Sequence, residues 1–164
     1  LTYLTCLWYS HSSHDFQALN YLLQMSVNLN QLFIGFENLQ PALNDAETCQ
    51  LLGQRIIHLL ILRSTPATPT VLTEDYIPQI HRTFIRLRHL QIDVTHGPLI
   101  ESIALSILKT FEKKMDFISL VVEGETQSDE LKSNAREWLL KHTHLNHKFD
   151  AEFVEKTNRF LLWL

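Results

Sequence analysis

The chain has 164 residues, of which 45% are hydrophobic and 20% charged, and a formal net charge of -4. This is the composition of one ordinary globular domain. It argues against nucleic-acid binding, which needs clustered Lys and Arg to displace counterions from phosphates.

No apolar run reaches the roughly 20 residues that span a bilayer. The stretch from Leu1 to Tyr9 lacks the basic leader and cleavage site of a signal peptide. The chain opens inside an apolar pattern on Leu1, so it reads as the C-terminal fragment of a longer protein. Cys6 and Cys49 show no metal or redox spacing and lie in apolar patterns, which points to buried thiols in a reducing compartment, the cytoplasm or nucleus.

Taken in order, the first element is a strand with one apolar face, Leu1, Leu4 and Cys6. The apolar-x-x-apolar-x-apolar pattern returns at Leu29, Leu32, Ile34; at Ile56, Leu59, Ile61; at Leu87, Leu90, Ile92; and at Met115, Ile118, Leu120. First positions at 1, 29, 56, 87 and 115 give steps of 28, 27, 31 and 28 residues, and the long step holds the irregular Thr65-Pro66-Ala67-Thr68-Pro69. Helical patterns lie between the strands. Phe16, Leu19, Leu22 and Leu23 share one face. Asn44 with Glu47 resembles a capping box, and Gly53 is suited to end that helix. Ile77, Ile80 and Phe84 line the third helix, with Pro78 in its first turn. Pro98 begins the fourth, whose stripe runs from Leu99 and Ile100 through Ile103, Ala104, Ile107 and Leu108 to Phe111. Ser128 is the expected cap of the fifth, with Leu131, Ala135, Trp138 and Leu139 facing inward. The segment 149–164 breaks the period, and its apolar ends around a polar Thr157-Asn158-Arg159 predict two short strands that extend or cap the sheet edge.

Strand then helix, five times, predicts parallel strands joined by right-handed crossovers. Near-constant spacing favours stacked repeats over a closed, doubly wound α/β domain. The Leu-x-x-Leu-x-Ile strands resemble the ribonuclease-inhibitor type of leucine-rich repeat. Their irregular steps, with Arg88-His89-Leu90-Gln91-Ile92-Asp93 and Phe160-Leu161-Leu162-Trp163-Leu164, are more similar to the repeat region of F-box proteins. The usual Asn or Cys ladder is absent: Trp8, Phe36, Arg63, Val94 and Val122 stand in those places. The resemblance implies an α/β leucine-rich-repeat solenoid over 1–164, with repeats starting near 1, 29, 56, 87 and 115, a parallel concave sheet and a cap at 149–164. It also implies a protein-interaction module, the substrate-recognition arm of an F-box ubiquitin-ligase receptor. An F-box, and with it an adaptor partner, would have to precede Leu1. The alternative is a repeat scaffold with no ubiquitin link.

Alternation along the strands then names a concave face. It comprises Tyr3, Thr5 and Leu7; Gln31 and Phe33; His58, Leu60 and Leu62; His89, Gln91 and Asp93; and Phe117, Ser119 and Val121. Aromatic and aliphatic anchors ringed by polar groups suit a protein partner.

Catalytic and metal patterns are weaker. His142, His144 and His147 lie close together but share no regular helical face and have no cysteine nearby. His11 and His14 sit in a polar stretch. Ser12, Ser13, His14 and Asp15 are merely adjacent, whereas a catalytic triad is a spatial arrangement. Glu123-Gly124-Glu125 is neither a phosphate-cradling loop nor a persuasive acid–base pair. The expectation is therefore a protein that is not an enzyme, with no cofactor and no metal, binding a protein partner and neither nucleic acid nor membrane.

Overall fold

The computed structural model describes residues 6–9, 16–62, 72–94, 99–111, 116–122, 129–144, 149–157 and 159–164. Among them, seven strands form one sheet: β1 (Cys6–Tyr9), β2 (Gln31–Gly35), β3 (His58–Leu62), β4 (His89–Val94), β5 (Phe117–Val122), β6 (Asp150–Val154) and β7 (Arg159–Trp163). The helices are α1 (Phe16–Met25), α2 (Phe36–Ala42), α3 (Ala46–Arg55), α4 (Ile77–Thr83), α5 (Leu99–Phe111), α6 (Asp129–Ser133) and α7 (Ala135–His142). The sheet order is β1-β2-β3-β4-β5-β7-β6. The first five strands run parallel, and β7 and β6 close the edge antiparallel.

This is a mixed α/β sheet and not the leucine-rich-repeat solenoid expected above. The connections show why. A single helix, α1, leads to β2, whereas two helices, α2 and α3, lead to β3. A 3-10 turn, Glu74–Tyr76, precedes α4; α5 is a single helix of 13 residues; α6 and α7 again form a pair. Among the described residues the connections do not share one form. The strand pattern requires only a short strand with one buried side, which any α/β unit supplies. The sequence lacks the regular Asn or Cys positions that would hold every turn in one shape. The final two strands reverse direction, because a hairpin needs only a short link such as the 3-10 turn Glu155–Thr157, whereas a parallel pair needs a helical crossover.

The strand register carries the core. Leu32, Leu59, Leu90, Ile118 and Leu162 are consecutive partners across five strands, each no more than 2% exposed. Ile34, Ile61, Ile92, Leu120 and Phe160 form the next buried rung. Leu19 and Leu23 of α1, Leu39 of α2, Leu52 of α3, Ile80 of α4, Ile103 and Ile107 of α5, and Trp138 and Leu139 of α7 join the same cluster. The helices pack in series, α1 on α3, α3 on α4, α4 on α5 and α6 on α7. Most described strand positions between the buried ones are only half-buried, as in Gln31, Phe33, His58, Leu60, His89 and Gln91, with Ser119 the buried exception. One face of the sheet is thus sealed by helices and the other is open among the described residues.

β1 differs from its expected register. Leu7, and not Leu4, is the Cα partner of Leu32, and Tyr9 is that of Ile34. The opening segment fits the strand pattern twice, as Leu1, Leu4, Cys6 and as Leu4, Leu7, Tyr9. The second fit is the one used. A slip by an odd number of residues exchanges the two alternating sets.

Local chemistry fixes the helix ends. Asp45, not Asn44, caps α3, its carboxylate accepting from the Thr48 amide at 2.8 Å. That bond holds the Asp45 carboxyl below the usual carboxylate range. Gly53 does not end α3, which continues to Arg55. A Cβ at Gly53 would lie 2.5 Å from the Thr83 carbonyl oxygen, so glycine is needed for the close approach of α3 to the end of α4. Arg55 donates to the carbonyls of Leu23 and Ser26, satisfying the end of α1 with a cation as the helix dipole favours. Pro78 does lie in the first turn of α4. The fifth expected helix is split, with Asn134 starting α7 by accepting from the Glu137 amide at 3.1 Å; Ser128 and Pro98 lie outside the described residues.

Candidate functional site: the open face of the sheet

The register places the open-face positions in rows. The first row runs Gln31, His58, His89, Phe117, Trp163 and Asp150. The second runs Phe33, Leu60, Gln91, Ser119, Leu161 and Glu152. In the first row the rings touch in sequence. His58 and His89 stack with centroids 4.2 Å apart and planes 7° from parallel. His89 meets Phe117 at 6.3 Å, and Phe117 meets Trp163 at 5.7 Å, both tilted. Four rings from four strands make one continuous band, and Trp163 ends it 39% exposed. Tilted and offset ring pairs are favoured by the aromatic quadrupole.

The structure therefore brings together Gln31, Phe33, His58, Leu60, His89, Gln91, Phe117 and Ser119 as neighbours on one face. Leu62 and Asp93 lie further along the same strands, and Asp93 pairs with Val121. Ser119 is not available to a partner: it is 1% exposed, flanked by Gln91 and Leu161, and its Oγ has no hydrogen-bond partner among the described residues. Tyr3 and Thr5 lie outside the described residues, and the rungs beside Gln31 and Phe33 that they were expected to extend are held by Cys6 and Trp8. Sequence reasoning omitted Trp163, Leu161 and Glu152, because it read the closing strands only as a cap. The alternation Arg159-Phe160-Leu161-Leu162-Trp163 was the available signal, but which alternate set faces outward depends on the antiparallel register with β5.

Electrostatics set His58 apart. Desolvation in the row, then the neighbouring His89, holds its imidazole below the ordinary histidine value. The other shifted groups are structural. Glu130 is lowered and Lys141 raised by their mutual contact at 2.8 Å, exposed on α6 and α7.

Two other places carry cysteine or histidine side chains. A groove of about 600 Å³ lies between α3 and α4, lined in part by Cys49, Gly53, Gln79, Arg82 and Ile85. The Cys49 thiol there is half-buried and donates to the Leu43 carbonyl at 3.3 Å, so it is tied to the end of α2. Of the C-terminal histidines, His142 sits 2.8 Å through Nδ1 from the Trp138 carbonyl, His144 is exposed, and His147 is outside the described residues. Among the described residues no three His, Cys, Asp or Glu side chains are placed to share a metal ion, and no helix is long and apolar enough to cross a membrane.

No family model matches the chain, and no curated protein matches it. A solved structure of M. capricolum TrmK in complex with the natural cofactor product S-adenosyl-homocysteine aligns over 93% of this chain and 68% of that chain, at 9% identity and a TM-score of 0.27. A likeness that low carries no argument about fold or activity. The resemblance to F-box proteins, with its leucine-rich repeats and ubiquitin-ligase role, is corrected by the mixed sheet and its unequal connections, and no family match supports it.

Proposed function

We propose that this chain is a protein-interaction module whose partner seats on the open face of the sheet, acting by binding and not by catalysis. The observation that supports this most is the ring band His58–His89–Phe117–Trp163, which sits half-exposed beside Phe33 and Leu60 on the side that no described helix covers. Contiguous apolar and aromatic surface rimmed by polar groups is what protein partners use, and here Gln31, Gln91, Asp150 and Glu152 supply the rim. A protein partner also fits the net charge of -4 better than a nucleic acid or an anionic membrane does. The half-buried free thiol of Cys49 suits the reducing cytoplasm or nucleus.

The test is site-specific photo-crosslinking in cells. A photoreactive aromatic residue at Phe33 is expected to give a discrete protein adduct, and the same residue at Tyr21, 61% exposed on α1, is expected to give none of that size. Adducts arising only from Tyr21, or from neither position, would contradict the reading.

A further inference from the structure

The stacked imidazoles give the open face a feature that a purely apolar patch lacks. His58 and His89 are direct partners on adjacent parallel strands, so their side chains leave the backbone side by side and cannot separate without a rotamer change. Their rings lie face to face at 4.2 Å. Two neutral imidazoles tolerate that contact. A proton on one places a charge against the partner ring, and protons on both place like charges at about 4 Å, where repulsion is strong in a partly desolvated site.

We propose that the His58–His89 stack is a proton-operated release element for this face: neutral, it extends the apolar band on which a partner seats, and protonated, it drives the rings apart and charges the band. This rests on the reading of the open face as a docking surface. The described residues around His58 offer little to neutralise a proton on it. β2 presents Gln31 and Phe33, β3 itself presents Leu60, and β4 presents His89, then Gln91 and, further along, Asp93. From β5 the row continues with Phe117. Arg88 and Asp116, just ahead of His89 and Phe117, are 3.7 Å apart and offset one another. His58 is already biased toward its neutral form by desolvation and by His89. A seated partner would remove more water from both rings and strengthen that bias, so binding and protonation exclude one another. Histidine is suited to this because its charge changes near neutral pH.

Two measurements test the proposal on the whole chain. In the first, NMR of the imidazole ring protons follows His58 through a pH titration. It should titrate below the ordinary histidine range and move up toward it in His89→Gln. A His58 curve at the ordinary position, unmoved by His89→Gln, would overturn the proposal. In the second, the Phe33 cross-link is run in permeabilised cells at about pH 7.5 and about pH 5.5, on either side of the ordinary histidine value. The adduct should fall several-fold at the lower pH and stay short of the roughly tenfold limit set by one proton-excluding histidine at its ordinary value, because His58 is held below that value. In the His58→Gln/His89→Gln double variant it should be equal at both. An adduct that ignores pH in the unmodified pair, or keeps its pH dependence in the double variant, defeats the release element and leaves the docking reading standing. If no adduct forms at either pH, the docking reading has failed, and release falls with it.

Discussion

The two faces of the sheet use adjacent residues of the same strands to opposite ends. On β3, Leu59 is 2% exposed under the helices and Leu60, its neighbour, is half-buried on the open side. On β4, Leu90 is fully buried while His89 and Gln91 are not. One strand further, on β5, Ile118 is sealed and Phe117 remains reachable. The sealed face is uniformly apolar, aliphatic on β2 to β5 and joined by Phe160 and Phe153 on the closing strands. The open face mixes imidazole, aromatic, amide and carboxylate groups. Strand-forming residues are therefore not enough to say what a position does; the helices overhead decide it.

The sharpest way to break this division is to cut into the sealed face. Leu90→Ala should cost about 2–5 kcal/mol, because the rung between Leu59 and Ile118 cannot collapse onto the gap. Urea unfolding measures it, and a loss below 1 kcal/mol would mean that the face is loosely packed. Next in size is Gly53→Ala. The added Cβ meets the Thr83 carbonyl, a backbone atom that cannot swing aside, so a loss of about 1–3 kcal/mol is expected. Alanine's better helix propensity, about 1 kcal/mol, works in the other direction and makes the sign a real test. Asn134→Ala removes the cap of α7 and should cost about 1 kcal/mol by thermal or urea unfolding.

The smallest effect belongs to the open face. Because His58 is held below its ordinary value when folded, the unfolded chain binds more protons than the folded one once the pH drops to the histidine range. The stability linked to it is complete above the unfolded value of about 6.5 and is lost as the pH falls through the lower folded value. Asp45 and Glu130, also lowered, lose their contributions in a separate and more acidic window. His58→Gln should flatten the stability profile between about pH 6.5 and the start of the carboxylate window, leaving that lower window unchanged. A profile identical to that of the unaltered chain would show that the stack does not bear on folding.

Much of the sealed face was legible from spacing alone. Leu32, Leu59, Leu90 and Ile118 stand at equal offsets in four matching segments, and a period-2 strand puts matching offsets on one rung. The same logic lined up His58 with His89. What spacing could not give was the way the connections are built. α2 starts on Phe36 directly after β2 with no intervening loop, and Pro41 lies in the last turn of this seven-residue helix. β1 slipped because apolar residues at 1, 4, 6, 7, 8 and 9 support two registers. A regular strand spacing invited a regular repeat, but the spacing recurs without the turn chemistry that would make every unit alike. In the candidate site, Trp163 was hidden because an antiparallel strand at the end of the chain has no offset to compare with the parallel ones.

The division between the faces comes down to one residue. Leu60→Ser changes the centre of the open face and touches nothing beneath the helices, so the pair of readings from that variant is decisive: its urea midpoint and the yield of the Phe33 cross-link. The account predicts a stability within about 1 kcal/mol of the unaltered chain, the range of substitutions outside the core, together with loss of the adduct. A chain that unfolds on this change, or one that keeps its stability and its full adduct, would contradict it.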